Sequence, residues 1–283
     1  MKIALATARK NTLGSKDTER DTELLIEQFK SVGVSAELAV WDDKTVNWAD
    51  YNLVYLHTPW DFMDKYSAFV QWIERASAIT KLINPLEIVK WNINKQYLFE
   101  LSRKGIAIPG TTLIKVDEPL DSSEERRDIV VKPTVGAGGQ DIYRFSSLKE
   151  ALADKRVKDL HARTEILVQD FDERILSQGE YGAIVIDGQL THCILKNPGN
   201  NEFRIHDIYG GTLEPVDISE QMEVFCRKVY DCLTTKPAYG RIDFIGAAEP
   251  VLMELELVEP ELFLRFSKTA LTKFVETIIT LTR

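Results

Sequence analysis

Cysteine and histidine are scarce in this chain, with three cysteines and four histidines among 283 residues. The cysteines, Cys193, Cys226 and Cys232, are odd in number and form no CxxC pair, which predicts reduced, packed thiols and a cytoplasmic location. The histidines show no HxH or HxxxH spacing, so a zinc site is not expected.

Clustered positive charge and long apolar runs are also missing. The formal net charge is −9 and no run of lysine or arginine occurs, which argues against a nucleic-acid partner. No segment approaches the roughly 20 apolar residues of a membrane span, and the N-terminus carries no long apolar signal segment. With 44% apolar and 28% charged residues, the composition is that of a globular protein with two or three lobes.

Residues 1–83 alternate between strand-like and helical patterns. The strand-like stretches are 2–6, 35–40 and 52–56, and the helical ones are 18–32 and 65–78. This alternation predicts a parallel sheet in a small Rossmann-like α/β domain, although the glycine fingerprint GxGxxG of dinucleotide binders is absent.

Asn84–Pro85 predicts a domain boundary, so that residues 84–283 form a second unit. Strand-like patterns dominate from Ile129 onward, and Asp187–Gly188 between two alternating runs predicts a hairpin. We therefore expect an α+β domain with antiparallel sheets. Further expected elements are helices at 94–104, 219–233 and 266–283, a strand within 202–210 and a polar surface loop at 117–128.

Lys132 ends a strand-like run and is followed at once by a loop containing Gly136, Gly138 and Gly139. Glycines let backbone N–H groups approach phosphates and let a loop close over them, which predicts a mobile phosphate-binding lid. The P-loop pattern GxxxxGK[ST] is absent. A plain flexible hairpin is the alternative.

Lys95 follows Asn94, which we expect to cap a helix, and so would occupy the first turn of that helix. A cation there opposes the helix dipole, which favours an anionic partner for this lysine. A solvated lysine is the alternative.

Gln169, Asp170 and Phe171 end an apolar strand-like segment. Such a segment can present its backbone to the edge of an adenine ring, with apolar side chains on either side of the ring. An ordinary core strand is the alternative.

Asp243, Glu254 and Glu256 predict a magnesium site. Glu254 and Glu256 share one face of a strand because side chains at i and i+2 point the same way, and apolar residues surround them. Paired carboxylates facing the interior need a cation, and Mg²⁺ bridging phosphates suits oxygen ligands. A solvent-facing strand is the alternative.

Lys196 and Arg204 are candidate contacts for a transferred phosphate or an acyl phosphate, since an arginine fork suits bidentate contact. Surface placement is the alternative for both.

Taken in order, these segments resemble the successive motifs of the ATP-grasp superfamily, and within it the glutathione-synthetase-like branch. The segments are NKQYL, VVKPTVGAGG, VQDF, VIDGQLTHCILK, FRIHDIYGG, RIDFIG and LMELELVEP. Within that branch, TPWDF (58–62), INPLEIVKWNINKQYL (83–98) and ELELVEPELF (254–263) are similar to the O-ureido-serine cyclases of D-cycloserine biosynthesis.

The resemblance implies an ATP-grasp fold with an N-terminal domain at 1–83 and a nucleotide-binding domain at 84–283, whose lid-bearing part spans about 110–170. It also implies roles for single residues. Lys95, Lys132 and Lys196 would contact ATP phosphates beneath the glycine loop, and Asp243, Glu254 and Glu256 would hold two Mg²⁺. The segment from Gln169 to Phe171 would form the adenine hinge, and Glu180 would bind the ribose. Arg204 would face the γ-phosphate or the substrate carboxylate.

Two positions depart from the related patterns. Glu256 stands where glutathione synthetases commonly carry asparagine, and His57 stands where the cyclases carry arginine. We expect His57, Trp60 and Asp61 to contribute to a substrate site, with Trp60 as a flat wall and Asp61 as an acceptor for an ammonium group. A packed loop with a helix cap is the alternative for Trp60 and Asp61.

The expected activity is that of an ATP-dependent ligase or cyclase acting through an acyl phosphate on a small amino acid or amino-carboxylate. No serine or cysteine nucleophile set is evident, and this chemistry needs none. A non-catalytic nucleotide-binding protein and a phosphotransferase on the same fold are the alternatives. A homo-oligomer is expected by analogy with the family.

Overall fold

The computed structural model describes residues 1–9, 16–116, 118, 127–200, 202–205 and 209–282. The first elements are the strands β1 (Lys2–Thr7), β2 (Ser35–Val40), β3 (Leu53–Thr58) and β4 (Lys81–Ile83) and the helices α1 (Lys16–Ser31) and α2 (Tyr66–Ile79). The strands pair in parallel in the order β2-β1-β3-β4. This arrangement confirms the Rossmann-like sheet predicted from the alternating pattern.

The next elements build a second sheet with helices beside it. They are α3 (Leu86–Asn92), α4 (Tyr97–Arg103), β5 (Thr111–Ile114), β6 (Arg127–Pro133), β7 (Tyr143–Ser147), α5 (Leu148–Ala153), α6 (Lys155–His161) and β8 (Ile166–Asp170). The strands are antiparallel in the order β5-β8-β6-β7. The glycine loop follows β6 directly and therefore lies at one end of this sheet.

The remaining elements form a third sheet, again antiparallel. They are α7 (Arg174–Gln178), β9 (Glu180–Ile186), β10 (Gln189–Asn197), β11 (Thr212–Val216), α8 (Glu220–Asp231), β12 (Tyr239–Ile245), β13 (Val251–Glu256) and α9 (Lys268–Leu281). The strand order is β11-β10-β9-β12-β13. Asp187 and Gly188 join β9 to β10 with φ values of 50° and 70°, the backbone that a tight two-residue hairpin requires.

The first and third sheets share one hydrophobic core, so their relative position is fixed by packing. Leu25 and Tyr55 from the N-terminal elements pack in the same cluster as Ile184, Tyr239 and Phe274. The buried Asn84 side chain adds hydrogen bonds to the backbone oxygens of Tyr239 and Leu257, at 2.9 and 2.8 Å. Residues on opposite sides of the sequence boundary near 84 are therefore held at defined positions.

Three expectations about local structure need correction or lie outside the description. Residues 202–205 are not in a strand, while 206–208 and most of the predicted loop at 117–128 fall outside the described residues. Lys95 lies in the turn before α4, because its N–H donates to Thr134 O at 2.8 Å and the helix begins only at Tyr97. The helix-dipole argument for Lys95 is therefore wrong. No helix in the described ranges is long and apolar enough to cross a membrane.

Candidate ATP-binding and ligase site

A pocket of about 750 Å³, including its open mouth, lies between the second and third sheets and is called the central pocket below. One wall is apolar and is formed by Ile142, Phe171, Ile175, Phe203, Ile205, Ile245 and Met253. The other wall is charged or polar and is formed by Lys132, Gln169, Asp170, Asp172, Glu180, Lys196, Arg204, Arg241, Asp243, Glu254 and Glu256. The structure thus brings together residues that are far apart in the sequence and that were predicted to act together.

The charged wall is built on the antiparallel pair β12 and β13. Asp243 lies opposite Glu254, and Arg241 lies opposite Glu256. Residues two apart in a strand share a face, so these four side chains point into the same pocket. Sequence reasoning found the carboxylates but missed Arg241, although its i, i+2 spacing to Asp243 was a readable signal.

Each of the three predicted metal carboxylates is paired with a cation. Lys196 Nζ lies 2.8 Å from Asp243, Lys95 Nζ lies 2.9 Å from Glu254, and Arg241 pairs with Glu256. Arg241 Nε also donates to Asp243 at 2.9 Å. With these pairs in place, no three acidic, histidine or cysteine side chains in the described part of the chain converge as a metal site.

The paired cations decide which carboxylates are ionised. Burial raises the pKa of Asp243 and Glu254, but Arg241 and Lys196 outweigh this for Asp243, and Lys95 and Lys132 outweigh it for Glu254, so both pKa values are lowered. Burial raises the pKa of Glu256 to about 7 despite Arg241. Asp243 and Glu254 are therefore anionic at neutral pH. Glu256 is partly protonated, and a cation bound beside it would favour the ionised carboxylate, with the proton released to solvent.

Lys132 is buried beside Lys95 and Glu254. Burial is the main reason that the pKa of Lys132 is lowered to about 8; Glu254 opposes this effect and Lys95 adds to it. A bound anion would favour the charged form of this lysine again. The site therefore gains electrostatically from the binding of a polyanion.

The glycine loop contacts three other parts of the molecule. Lys95 Nζ donates to Gly136 O, Tyr209 OH lies 3.4 Å from Gly139 O, and Val135 packs against the core of the N-terminal sheet. Gly138 and Gly139 have φ values of 62° and 72°, which favour glycine over other residues. The loop thus lies over the cationic end of the central pocket.

Phe171 provides most of the flat apolar surface at the other end of the pocket. The Arg144 guanidinium lies 3.5 Å from the centre of its ring, and Phe203 meets it edge-on at 5.9 Å. Gln169 is buried and donates to Thr111 at 3.0 Å, while the Phe171 N–H donates to Asp128 O at 2.8 Å. The predicted hinge is therefore in place as part of the wall, and its contact with an adenine stays a prediction. Arg144 was missed.

Glu180 and Arg204 line the same pocket with partners of their own. Glu180 forms an ion pair with Lys196 at 2.6 Å. Its role at a ribose stays a prediction. Arg204 pairs with Glu202 at 2.6 Å and stacks on the Tyr209 ring at 3.5 Å, while its buried Nε has no hydrogen-bond partner among the described residues. That N–H is available to a ligand in the pocket.

His57, Trp60 and Asp61 lie outside the central pocket. His57 and Trp60 line a second cavity beside it. Asp61 lines neither the central pocket nor the second cavity. Its carboxylate accepts hydrogen bonds from Trp41 Nε1 and Lys65 Nζ, both at 2.6 Å. The expectation that Asp61 receives a substrate ammonium is corrected on these contacts: the residue braces the N-terminal sheet.

Two family models match the chain. The N-terminal domain of D-cycloserine synthetase DcsG matches residues 3–84, and the ATP-grasp domain of prokaryotic glutathione synthetase matches residues 86–268. Among curated proteins, the cycloserine biosynthesis protein DcsG of Streptomyces lavendulae is 28% identical, covering 91% of this chain and 92% of its own. A glutathione synthetase of Prochlorococcus marinus subsp. pastoris is 23% identical over 75% of this chain and 70% of its own.

Solved structures share the fold over the whole chain. A crystal structure of D-cycloserine synthetase DcsG superposes with a TM-score of 0.88 at 24% identity, covering 100% of both chains. A D-alanine–D-alanine ligase from Bacillus anthracis, complexed with ATP, gives a TM-score of 0.70 at 15% identity over 100% of this chain and 97% of that one. The protein therefore has the predicted ATP-grasp fold, belongs to the prokaryotic glutathione synthetase ATP-grasp family, and is an ATP-dependent ligase.

Proposed function

We propose that this ligase activates the carboxylate of a small amino acid or amino-carboxylate as an acyl phosphate and joins it to an amine or a related nucleophile, within one molecule or between two. The observation that carries the proposal is the central pocket itself. It combines a flat apolar wall with buried lysines and arginines and with anionic carboxylates. This combination suits a nucleotide triphosphate with a divalent cation.

In this proposal each part of the pocket has a task. The apolar wall around Phe171, with Gln169 and Asp170, takes the adenine, and Glu180 is proposed to bind the ribose. Lys95, Lys132 and Lys196 neutralise the phosphates beneath the loop formed by Gly136, Gly138 and Gly139. The support is that all of these side chains line or cover one pocket.

The carboxylates fit a magnesium site by their chemistry. Asp243, Glu254 and Glu256 supply oxygen ligands on one face of β12 and β13, and Glu254 and Glu256 keep 29% and 27% exposure, so that they remain open to the pocket. When bound, Mg²⁺ neutralises phosphate charge in the transition state. ATP phosphates would also give Lys95 and Lys196 new partners, which releases the carboxylates for the metal. We infer up to two ions per site.

The reaction balances without a protein nucleophile. A substrate carboxylate oxygen attacks the γ-phosphorus and ADP leaves, and the nucleophile then attacks the acyl carbon and inorganic phosphate leaves. Arg204 is proposed to hold the carboxylate or its acyl phosphate, and Lys196 to stabilise the transferred charge. Burial raises the pKa of the Cys193 thiol to about 12, which leaves this cysteine unsuited to nucleophilic catalysis.

Two other functions remain testable on the same fold. A nucleotide-binding regulatory protein would bind Mg-ATP without releasing ADP under any substrate mixture. A phosphotransferase would yield a stable phosphorylated product without dependence on an amine. The ligase is favoured because the anionic carboxylates and the unpartnered Arg204 Nε line the same pocket.

Further features are proposals supported by the comparisons. A division of the chain near residue 84 is supported by the family models, which end at 84 and begin at 86. A cytoplasmic location, a small-molecule partner and a homo-oligomeric state are inferred from the family, and a nucleic-acid partner is not expected from the net charge of −9.

ADP release with pools of amino acids and related carboxylates tests the proposal. A pool that stimulates ADP release supports it, and fractionation of that pool identifies the substrate. Arg204→Ala should then reduce turnover about 100-fold while changing ATP affinity little, because the proposed contact of the guanidinium with the substrate carboxylate is lost. Arg204→Lys, which keeps the charge without the planar fork, is the matched control and should recover only part of the rate. Equal loss of ATP affinity and turnover would place Arg204 at the nucleotide instead.

A further inference from the structure

The second cavity, of about 330 Å³ including its open mouth, lies between α1 and the segment that follows β13, and it is narrow enough to suit one small group rather than a whole ligand. From the N-terminal elements it is lined by Thr18, Asp21, Leu25, Tyr55, His57, Thr58 and Trp60, and from the later segment by Pro260, Glu261, Leu262 and Leu264. Apolar and aromatic surfaces surround a few polar groups, as in small-molecule sites generally. None of these polar groups has been given a task above except His57 and Trp60.

Arg265 fixes the two carboxylates of this cavity. Its Nη1 donates to Asp21 at 2.6 Å and to Glu261 at 2.7 Å, and its backbone N–H donates to the other oxygen of Asp21 at 2.8 Å. The Arg265 side chain is 4% exposed, and its buried Nε has no hydrogen-bond partner in the described part of the chain. The carboxylates are therefore held rigidly across the boundary between the N-terminal sheet and the later segment.

The buried charges of this cluster do not balance. When ionised, Asp21 and Glu261 carry two negative charges against the single positive charge of Arg265. Arg241 also acts on Glu261, but it is shared with Asp243 and Glu256. Burial lowers the pKa of His57 to about 4, so this histidine is neutral, and burial raises the pKa of both Asp21 and Glu261. One more positive charge would neutralise the cluster.

The cavity is connected to the central pocket through the backbone of residues 259–261. Arg241 lines the central pocket and donates to Glu261 O at 3.0 Å, and Trp60 Nε1 donates to Glu259 O at 3.3 Å. Glu261 also lines the second cavity, and its side chain is 23% exposed. A small molecule could therefore place its carboxylate at the arginines of the central pocket and its cationic group at the carboxylates of the second cavity.

We propose that the second cavity is a cation subsite in which Asp21 and Glu261, held by Arg265, bind the ammonium group of the amino-carboxylate substrate. His57 is a neutral polar wall of the subsite, with its Nε2 shared with Thr22 at 2.8 Å, and Trp60 forms another wall, held by its hydrogen bond to Glu259 O. This inference rests on the proposed function and replaces Asp61 as the ammonium acceptor. Both oxygens of Asp61 accept hydrogen bonds, whereas Glu261 accepts one from Arg265 at Oε1 and none at Oε2 from the described residues. Glu261 Oε2 is therefore the oxygen left to meet an ammonium group, and Asp21, whose oxygens both accept from Arg265, adds negative charge beside it.

Calorimetric titration tests the subsite without requiring turnover. The probes are D- and L-alanine with propanoate, and D- and L-serine with 3-hydroxypropanoate, each added to the full chain with Mg²⁺ and an unhydrolysable ATP analogue. At least one amino compound should bind at least tenfold more tightly than its des-amino partner, because a charged group gains charge-assisted hydrogen bonds. Asp21→Asn and Glu261→Gln should each abolish this preference while leaving the affinity for the analogue unchanged.

Asp17→Asn is the matched control, because Asp17 lies 3.4 Å from Arg265 but is 58% exposed and does not line the cavity. It should keep the preference. Thermal melts of all three variants establish that they fold, and the two isosteric cavity variants serve as independent tests. If no amino compound binds better than its partner, or if both cavity variants keep the preference, the inference is overturned. Failure to bind the ATP analogue would instead overturn the proposed function.

Discussion

The central pocket and the second cavity use the same kinds of side chain with opposite charge balance. In the network of ion pairs at the central pocket, five cations (Lys95, Lys132, Lys196, Arg204 and Arg241) meet five carboxylates (Glu180, Glu202, Asp243, Glu254 and Glu256). The exposed Asp170, and Asp172 with its partner Arg174, lie at the same pocket. In the second cavity, one buried arginine meets two carboxylates. The network of the central pocket is balanced, and the second cavity is one positive charge short.

This difference indicates what each space can accept. ATP with two magnesium ions brings about as much positive as negative charge, so it can replace the internal ion pairs of the central pocket without leaving a buried charge uncompensated. A neutral or anionic molecule would leave the second cavity unbalanced, whereas an ammonium would complete it. Charge balance thus separates a nucleotide site from a site for the amino end of a substrate.

The largest expected effect comes from unbalancing the central pocket. Glu254→Gln removes one carboxylate that faces Lys95 and Lys132, and with it a proposed magnesium ligand. ADP release should fall about 1000-fold, or ~4 kcal/mol in the activation barrier, because phosphate charge is no longer neutralised in the transition state. Rates measured over a range of Mg²⁺ concentrations check this expectation.

The matched control for Glu254→Gln is Glu223→Gln, which alters an exposed carboxylate on α8 that pairs with Arg227 at 3.3 Å. It should leave both rate and melting temperature unchanged. A Glu254→Gln protein that folds normally and keeps near-normal ADP release would show that the metal site lies elsewhere.

The comparison also shows what the sequence alone can supply. Glu254 and Glu256 were placed on one strand face because the two-residue period of a strand is local, and Asp187–Gly188 was recognised because its turn chemistry is local. The contact of Arg265 with Asp21 joins residues 244 apart in the sequence, and no local pattern announces it. The second cavity was therefore only partly foreseen, through His57 and Trp60.

The wrong expectations have physical reasons as well. The pattern of Glu202–Ile205 is strand-like, but Glu202 instead accepts hydrogen bonds from the backbone of Phe203 and Arg204, at 2.8 and 3.1 Å, which holds a local turn. Asn94 accepts from Gln96 N at 3.0 Å, so it shapes a turn and does not cap the helix at Lys95. Short helices such as α5 and α6 were not predicted, because they contain too few residues for the helical period of apolar positions to be recognised in the sequence.

A smaller effect is expected on the pH dependence of the free energy of unfolding, through His57 in the second cavity. Since the pKa of His57 is lowered from 6.5 to about 4 by burial, the unfolded chain binds a proton that the folded chain excludes. Stability from this residue is complete above pH 6.5 and falls by ~3 kcal/mol as the pH is lowered to about 4. Urea unfolding of the wild type and of His57→Gln at pH 7.5 and 5 measures the difference in their pH dependence.

Thr22→Val is the control for this experiment, because it removes the hydroxyl bonded to His57 Nε2 at 2.8 Å and keeps the imidazole. Its stability should decrease with falling pH as that of the wild type does. If the wild type and His57→Gln lose the same stability between pH 7.5 and 5, the imidazole is not protected from protons, and the neutral wall assigned to it in the second cavity would have to be abandoned.

The smallest expected effect concerns the glycine loop, which covers the central pocket and has no counterpart among the residues that line the second cavity. Without nucleotide the loop is held by the Lys95 contact to Gly136 and by the longer Tyr209 contact to Gly139. Mg²⁺ with an unhydrolysable ATP analogue should add contacts and slow amide hydrogen exchange several-fold across residues 134–141.

Exchange across α1, which lines the second cavity, should change less, because the ammonium subsite is still empty under these conditions. Adding an amino compound that passes the titration test should then protect α1 as well. Equal protection of residues 134–141 with and without nucleotide would show that the loop is a fixed wall and not a lid.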